Sequence, residues 1–245
     1  MSFLPAPHTV QHWHLRKPAA TGRRGMVVSQ SKNASEAGVA VLDAGGNAID
    51  AAVATALALA AVEPWNSGLG GVGHAVIHRA GRARAEAVDF GPTAPAALDA
   101  KRFPLTGRVA ADLFAWPEVE GDANIHGPLS FVIPTAVAGL AEMHGRWGRL
   151  PLAEIAAPAV ALAKRGLPLD WYTTLKVAVA APVLRKYPES ARIYLRDGLP
   201  PVPPYQGALS YFRLGRLSET LDRLVRAGWR DFYEGEIASS IVADT

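Results

Sequence analysis

A chain of 245 residues with 49% hydrophobic and 19% charged side chains can bury the core of one large domain, which excludes a disordered protein. The net charge of +3 comes from scattered Lys and Arg without a basic stripe interleaved with aromatic residues, so nucleic acid is not an expected partner. The absence of cysteine excludes a disulfide framework, a CxxC redox pair and a thiolate metal site.

The first 24 residues do not resemble a secretory signal. A signal peptide begins with a short basic segment and an apolar run, whereas residues 1–24 contain several histidines and prolines and no such run. We therefore expect a flexible tail over residues 1–24, one domain over residues 25–245 and a cytoplasmic location. The apolar stretch from Ala51 to Val62 is too short and too rich in alanine to cross a bilayer, so no membrane partner is expected.

A strand and two helices are predicted first along the chain. The β-branched run Met26 to Ser29 predicts a short strand, and residues 34–44 predict a helix. A second helix begins after Asn47, a good N-cap, with Asp50 in its first turn, where a carboxylate complements the helix dipole. This helix is apolar on every face until Pro64, which is typical of a central core helix.

The remaining pattern completes an α+β fold class. Residues 75–90 predict an antiparallel hairpin around Ala80-Gly81, and residues 99–130 predict a long irregular excursion. Gly166 is placed to end the helix predicted over residues 152–166. The sequence contains no internal repeat. Further helices are predicted over residues 135–148, 152–166, 217–227 and 234–244.

The loop from Gly68 to Gly73 contains the pattern GxGxxG, which in other proteins cradles a pyrophosphate. A dinucleotide-binding fingerprint needs a strand before the glycines and a helix after them, whereas here a helix precedes and a strand follows. We therefore expect no nucleotide cofactor. The glycines are interpreted as a loop that another segment or a ligand approaches closely.

No metal site and no catalytic group can be assigned from residue spacing. His74 and His78 have the i, i+4 spacing that chelates a metal on a helix, but on a strand they lie about four residue rises apart, too far for one ion. The other histidines are interpreted as solvated or capping residues. No serine stands in a GxSxG elbow, and no Ser or Thr has an assignable histidine and acid.

The segment GMVVSQSKNASEAGVAVLDAGGNAIDAAVATALALAAVEPWNSGLGGVGHAVIHR is similar to the N-terminal signature of gamma-glutamyltranspeptidases. In that family a helix, GGNAxDAA, an apolar helix, VEP and SGxGGxG follow in this order. The resemblance continues through VDFGPTAPAAL, IPTAVAGLAEMHGRWGRLPLAEIAAPAVALAKRGLPL and DFYEGEIASSIV, so it covers most of residues 25–243. It implies that the chain forms part of the four-layer αββα sandwich of N-terminal-nucleophile hydrolases.

The resemblance also implies a self-processing acyltransferase or amidohydrolase without a cofactor. A precursor cuts itself before a threonine, which then attacks the amide of a gamma-glutamyl donor such as glutathione and passes the acyl group to water or an amine. That threonine follows a large subunit longer than this chain. We therefore expect no catalytic residue here, no role for Thr245, no activity of the fragment alone, and the small-subunit portion of the same precursor as its partner.

One departure from the family bears on the donor. The family usually carries arginine two residues after the aspartate of a DFRxxAP-like segment, where it pairs with the donor's α-carboxylate. Here Gly91 stands at that position, so Asp89, Gly91 and Thr93 are the candidate substrate-binding residues and the bidentate grip of the arginine is missing. Thr135 replaces a glycine common before the AVAGL helix, a change interpreted as structural.

Several alternatives remain open from the sequence. One alternative is that another arginine reaches the position of Gly91, the nearby ones being Arg79, Arg82, Arg84 and Arg108. The full-length protein is either an enzyme on gamma-glutamyl donors, an acylase of the same fold that acts on a non-glutamyl amide, or a catalytically silent structural relative. A threonine in a T-x-H-type segment downstream favours the enzyme.

Overall fold

The computed structural model describes residues 18–110 and 114–244, and over these ranges the chain is α+β, as predicted. The helices are α1 (Lys32–Asp43), α2 (Ala48–Val62), α3 (Ala136–Trp147), α4 (Leu152–Arg165), α5 (Trp171–Leu184), α6 (Pro188–Tyr194), α7 (Leu217–Ala227), α8 (Asp231–Glu234) and α9 (Glu236–Asp244). The strands are β1 (Gly73–Ile77), β2 (Glu86–Phe90), β3 (Leu105–Val109), β4 (Pro117–Val119), β5 (Leu167–Leu169) and β6 (Ser210–Phe212). They pair as three separate antiparallel ladders, β1–β2, β3–β4 and β5–β6.

The core is built around α2, as its apolar sequence predicts. Val53 and Leu57 on this helix are both 0% exposed, and the helix packs against α1, α3 and α4, while α4 in turn packs against α7. The predicted N-cap is confirmed: the Asn47 side chain accepts the N–H groups of Ile49 and Asp50, and the Asp50 side chain accepts the Asn47 N–H in return.

Asp50 is a fully buried carboxylate that joins two distant turns. It accepts the N–H of Asn47 at 2.9 Å, the N–H of Arg149 at 2.9 and 3.1 Å, and the N–H of Leu150 at 3.4 Å. The Asn47 amide also donates to the carbonyl of Trp147 at 2.6 Å. A buried charge is costly unless it is hydrogen-bonded, and here the bonds that satisfy it tie the α1–α2 turn to the α3–α4 turn.

The predicted hairpin is confirmed as β1–β2. Gly73 pairs with Phe90 at its open end and Ile77 with Glu86 at the end nearer the turn. The side chains of Ile77 and Val88 are buried in the core, whereas the alternate residues on the opposite face are exposed. The glycine loop therefore lies after α2 and before β1, in the order that the sequence predicts.

Three sequence predictions need correction. Met26 to Ser29 pair with no strand among the described residues, so this segment is extended chain without a ladder partner. The excursion at 99–130 is not wholly irregular, because it holds β3, β4 and short 3₁₀ turns at Ala100–Arg102 and Glu120–Asp122. The helix predicted over 234–244 is interrupted at Gly235, where α8 ends and α9 begins.

The break at Gly235 is organised by Asp231. Its carboxylate accepts two bonds of 2.7 Å from the Arg223 guanidinium and bonds of 3.3 Å from the N–H groups of Glu236 and Ile237, at the start of α9. The Arg223 hydrogen bond, supported by these backbone donors and opposed by burial, lowers the pKa of Asp231 from an ordinary 3.8 to about 2. Asp231 is therefore ionised whenever the protein is folded near neutral pH.

The segment 167–212 contains elements that the sequence pattern does not reveal. Gly166 ends α4, as predicted, with φ of 102°, and a Cβ there would lie 2.7 Å from the Phe212 carbonyl oxygen. The chain then enters β5, which pairs with β6, and α5 starts after Asp170, whose side chain accepts the Thr173 N–H at 2.8 Å. Helix α5 is apolar on most faces, so no helical period marks it.

Several sequence predictions fall outside the described residues. Residues 1–17, with His8, His12 and His14, belong to them, as does Thr245. Residues 18–24 of the predicted tail form neither helix nor strand. In the part of the chain that the structure describes, none of the helices combines the length and the apolar character needed to span a bilayer.

Candidate functional site

The three predicted substrate-binding residues follow one another at the open end of the β1–β2 hairpin. Asp89 lies on β2, and Gly91 comes directly after the strand ends at Phe90. The Thr93 carbonyl accepts the N–H of Ile133 at 2.8 Å, in an isolated antiparallel bridge. The segment 89–93 is therefore stretched between the hairpin and the chain that leads into α3.

The N-terminus of α3 is fixed to this segment by Thr135. Its hydroxyl lies 3.1 Å from the Gly91 carbonyl oxygen and is also within hydrogen-bond distance of the Phe90 carbonyl oxygen. The next residue, Ala136, donates its N–H to the Gly71 carbonyl at 2.9 Å. The glycine loop, the end of β2 and the start of α3 thus meet at one place, which gives Thr135 the structural role that the sequence suggests.

Two glycines make room for Phe90 at this junction. A Cβ on Gly73 would lie 2.6 Å from the Phe90 ring, and a Cβ on Gly139 of α3 would overlap the same ring. The ring therefore packs directly against the backbones of β1 and α3. The prediction that another segment approaches the glycine loop closely is confirmed at Gly73.

Tyr233 on α8 holds the start of α3 from another side. Its hydroxyl donates to the Pro134 carbonyl at 2.7 Å and accepts the Ala138 N–H at 2.9 Å. Burial raises the pKa of Tyr233, and the bond from Ala138 offsets only part of this effect. The phenol stays protonated and keeps its donor, so one side chain satisfies an unpaired N–H of α3 and the carbonyl that precedes its N-cap.

His74 is the neighbour that the sequence analysis did not connect with the candidate residues. Its Nδ1 lies 3.0 Å from Asp89 Oδ1, and the Gly91 N–H donates to the same oxygen at 2.9 Å. A Cβ on Gly91 would lie 3.1 Å from His74 Cε1, so the imidazole lines the space that a larger side chain would enter. The pairing of His74 with Asp89 across the hairpin could have been found from the strand register alone.

The arginines considered as replacements lie elsewhere. Arg79 pairs with Glu86 at 2.6 Å, and Arg108 pairs with Glu118 at 2.6 Å. Arg82 and Arg84 belong to the connection between β1 and β2. This connection precedes Glu86 at the opposite end of β2, five residues from Gly91, and so lies more than about 16 Å from Gly91 at ~3.3 Å per residue. The alternative that Arg82 or Arg84 substitutes at position 91 is therefore not supported, whereas Arg79 and Arg108 are engaged in ion pairs of their own.

The site offers few ligands to a metal ion. Within residues 18–110 and 114–244, no group of three or more His, Asp or Glu side chains is arranged to hold one. His74 and His78 lie on β1 and just beyond its end, as the spacing argument requires. What the site does offer is hydrogen bonding, through the imidazole of His74, the carboxylate of Asp89 and the backbone of residues 89–93.

Comparison with known proteins connects this geometry with a family. Residues 34–245 match the model of the gamma-glutamyltranspeptidase family. The chain is 35% identical over 202 residues to the acylase ACY 1 proenzyme of Pseudomonas sp. (strain V22), with 82% of this chain and 35% of the relative covered. It is 30% identical over 220 residues to glutathione hydrolase 3 of Arabidopsis thaliana, with 90% of this chain and 32% of the relative covered.

The fold agrees with the sequence similarity. The crystal structure of Helicobacter pylori gamma-glutamyltranspeptidase superimposes with a TM-score of 0.80 at 32% identity, covering 93% of this chain and 61% of that one. This confirms the predicted fold class, part of the αββα sandwich of N-terminal-nucleophile hydrolases. The chain spans about a third of the length of the two curated relatives. It belongs to the gamma-glutamyltranspeptidase family.

Proposed function

We propose that this chain is the N-terminal part of the large subunit of a self-processing acyl-transfer enzyme. The enzyme takes the acyl group of an amide donor, either a gamma-glutamyl compound such as glutathione or a related amide, and passes it to water or an amine. One observation carries the proposal: the glycine loop, the 89–93 segment and the start of α3 meet at a single site in a chain that matches the family over residues 34–245.

The proposed nucleophile is a threonine outside this chain, which becomes an N-terminus when the precursor cuts the preceding peptide bond. Its α-amino group, with an ordinary pKa of about 8, removes the proton of the threonine's own hydroxyl. The hydroxyl oxygen attacks the donor amide, the proton passes to the leaving amine, and an ester-linked acyl-enzyme forms. Water or an acceptor amine then attacks the ester and restores the hydroxyl. The designation of the Pseudomonas relative as a proenzyme supports a cleaved precursor.

The partner of this chain is the remaining part of the same precursor. Val76 lies in the middle of β1 on the face that points away from the helices, and it is 79% exposed. An apolar side chain at the centre of a sheet face is normally covered by another layer. A second sheet, contributed by the small-subunit portion, would cover it in the proposed sandwich.

Gly91 favours an acylase over a strict gamma-glutamyl enzyme. The donor's α-carboxylate has no guanidinium at this position, and Arg79 and Arg108 are engaged with Glu86 and Glu118 away from it. A site without the two parallel hydrogen bonds from an arginine guanidinium loses most of its selectivity for a free α-carboxylate. The similarity to the acylase ACY 1 proenzyme supports the same assignment.

The test uses the longer precursor that we propose contains this chain. The purified precursor should split into two subunits and should hydrolyse a chromogenic acyl anilide. Replacement of the newly exposed threonine by alanine should abolish both the cleavage into subunits and the hydrolysis of the anilide. Residues 1–245 alone should show no turnover above a heat-killed control, because the nucleophile is missing. An intact precursor that turns over neither gamma-glutamyl nor other acyl anilides would support the catalytically silent relative instead.

A further inference from the structure

An exposed Asp–His pair lies beside the candidate donor segment. His74 Nδ1 and Asp89 Oδ1 are 3.0 Å apart, and their side chains are 68% and 79% exposed. The Gly91 N–H also donates to Asp89 Oδ1, at 2.9 Å, and so fixes the carboxylate. Within this chain the pair therefore combines a fixed carboxylate with an exposed imidazole at the open end of the hairpin.

The short contact with Asp89 places the proton of a neutral His74 ring on Nδ1, because two lone pairs 3.0 Å apart would repel each other. A carboxylate accepts only, so Nδ1 of the neutral ring must be the donor and Nε2 is left as an acceptor. With the ring neutral, the His74–Asp89 pair carries one negative charge. The Nε2 acceptor and the negative charge of this pair attract hydrogen-bond donors and ammonium groups, and they repel carboxylates.

The absence of a side chain at residue 91 brings this pair next to the donor segment. A Cβ at Gly91 would lie 3.1 Å from His74 Cε1 and 3.6 Å from His74 Nε2, in contact with the ring. The Thr135 hydroxyl holds the Gly91 carbonyl at 3.1 Å, which keeps the backbone beside the ring in place. An acyl chain that passes along Gly91 therefore meets His74 Nε2.

We propose that His74 determines which acyl donors the site accepts. Its Nε2 accepts a hydrogen bond from an amine or hydroxyl on the acyl chain, and Asp89 fixes the ring and disfavours a carboxylate at the same place. The donor class is thus an acyl amide with one hydrogen-bond donor group and no α-carboxylate. The inference rests on the proposed function, since it requires the acyl chain to bind along residues 89–93.

The experiment compares four p-nitroanilides that share a leaving group and a four-carbon acyl backbone, using the processed full-length enzyme. The butyryl compound has neither polar group, 4-aminobutyryl adds the amine, glutaryl adds the carboxylate, and gamma-glutamyl has both. We expect kcat/KM for 4-aminobutyryl to exceed that for butyryl about tenfold, the effect of one hydrogen bond involving a charged group. The carboxylate of the glutaryl and gamma-glutamyl compounds should not raise their kcat/KM.

The variants separate recognition from folding. His74→Ala should bring the ratio of kcat/KM for 4-aminobutyryl to that for butyryl close to one, whereas His74→Gln, which keeps an acceptor, should retain part of this ratio. His78→Ala is the matched control, because this exposed histidine lies just beyond the same strand. This variant should change neither the ratio of kcat/KM for 4-aminobutyryl to that for butyryl nor kcat/KM for butyryl itself. Thermal unfolding midpoints of all variants should agree.

The outcomes distinguish the two proposals. A ratio that survives in His74→Ala, or a parent enzyme that prefers the glutaryl compound, would overturn the inference and leave the acyl-transfer function intact. A parent precursor that turns over none of the four anilides would remove the proposed function and this inference together.

Discussion

The Thr135 hydroxyl lies 3.1 Å from the Gly91 carbonyl oxygen and holds the N-terminus of α3 against the end of β2. Thr135→Val keeps the shape of the side chain and removes the hydroxyl that contacts the Phe90 and Gly91 carbonyls. We expect the free energy of unfolding to fall by about 1 to 2 kcal/mol, measured by urea denaturation. Thr135→Ser keeps the hydroxyl, so its free energy of unfolding should fall clearly less. Equal losses in the two variants would show that the methyl group of Thr135, and not its hydroxyl, stabilises the junction.

Restoring the arginine at position 91 should change donor selectivity. In the processed enzyme, Gly91→Arg should raise kcat/KM for the gamma-glutamyl anilide over 4-aminobutyryl by roughly 30- to 1000-fold, on the order of 2 to 4 kcal/mol. Because a Cβ at 91 lies 3.1 Å from His74 Cε1, the imidazole must give way, and His74→Ala/Gly91→Arg should show the larger gain. A parent that is already efficient with gamma-glutamyl and is damaged by the arginine would mean that another group holds the carboxylate.

Neutralising Asp50 should destabilise the protein strongly. Asp50→Asn replaces one carboxylate oxygen by an NH₂ group that cannot accept the backbone N–H bonds of Asn47, Arg149 or Leu150. We expect a loss of about 3 kcal/mol in the free energy of unfolding. The matched control is Asp43→Asn, because Asp43 forms only an exposed pair with Arg24 at 3.5 Å and should cost less than about 1 kcal/mol. Similar losses in the two variants would contradict the buried role of Asp50.

The Asp231–Arg223 pair predicts a specific acid sensitivity. Because the folded pKa of Asp231 is about 2 and its ordinary value is 3.8, its contribution to stability is complete above about pH 4 and is lost as the pH falls towards 2. Arg223→Gln should raise the pKa of Asp231 in an NMR carboxyl titration and flatten the pH dependence of unfolding in this window. Arg230→Gln, which breaks only the exposed pair with Glu234, should leave the titration of Asp231 unchanged.

Gly139 and Gly145 offer opposite outcomes within one helix. Gly139→Ala places a Cβ on the Phe90 ring, so repacking should cost about 1 to 3 kcal/mol in unfolding free energy. Gly145→Ala meets nothing within 4 Å and should stabilise α3 by about 0.5 to 1 kcal/mol, as alanine does in helices. Thermal melts of the two variants should therefore shift in opposite directions, and a shift in the same direction would show that Phe90 can move aside.

The predictions from the sequence that succeeded depend on residues close together in the chain. The Asn47 cap and the β1–β2 hairpin follow from patterns a few residues long. The pairing of Asp50 with Arg149 joins residues 99 positions apart, and no local pattern indicates it. The His74–Asp89 pair depends on the hairpin register, which the predicted turn at Ala80-Gly81 does not determine. Helix α5 was missed because it is apolar on most faces and shows no periodicity.

The distance between Asp50 and its partner also has a consequence for synthesis on the ribosome. At about 5 to 20 residues per second, roughly 5 to 20 s pass between the translation of Asp50 and that of Arg149, which lies 99 residues later. During this interval the nascent chain carries α2, apolar on all faces, before α3 and α4 exist to cover it. We therefore expect translation speed and chaperone supply over these 99 codons to affect the yield of folded protein.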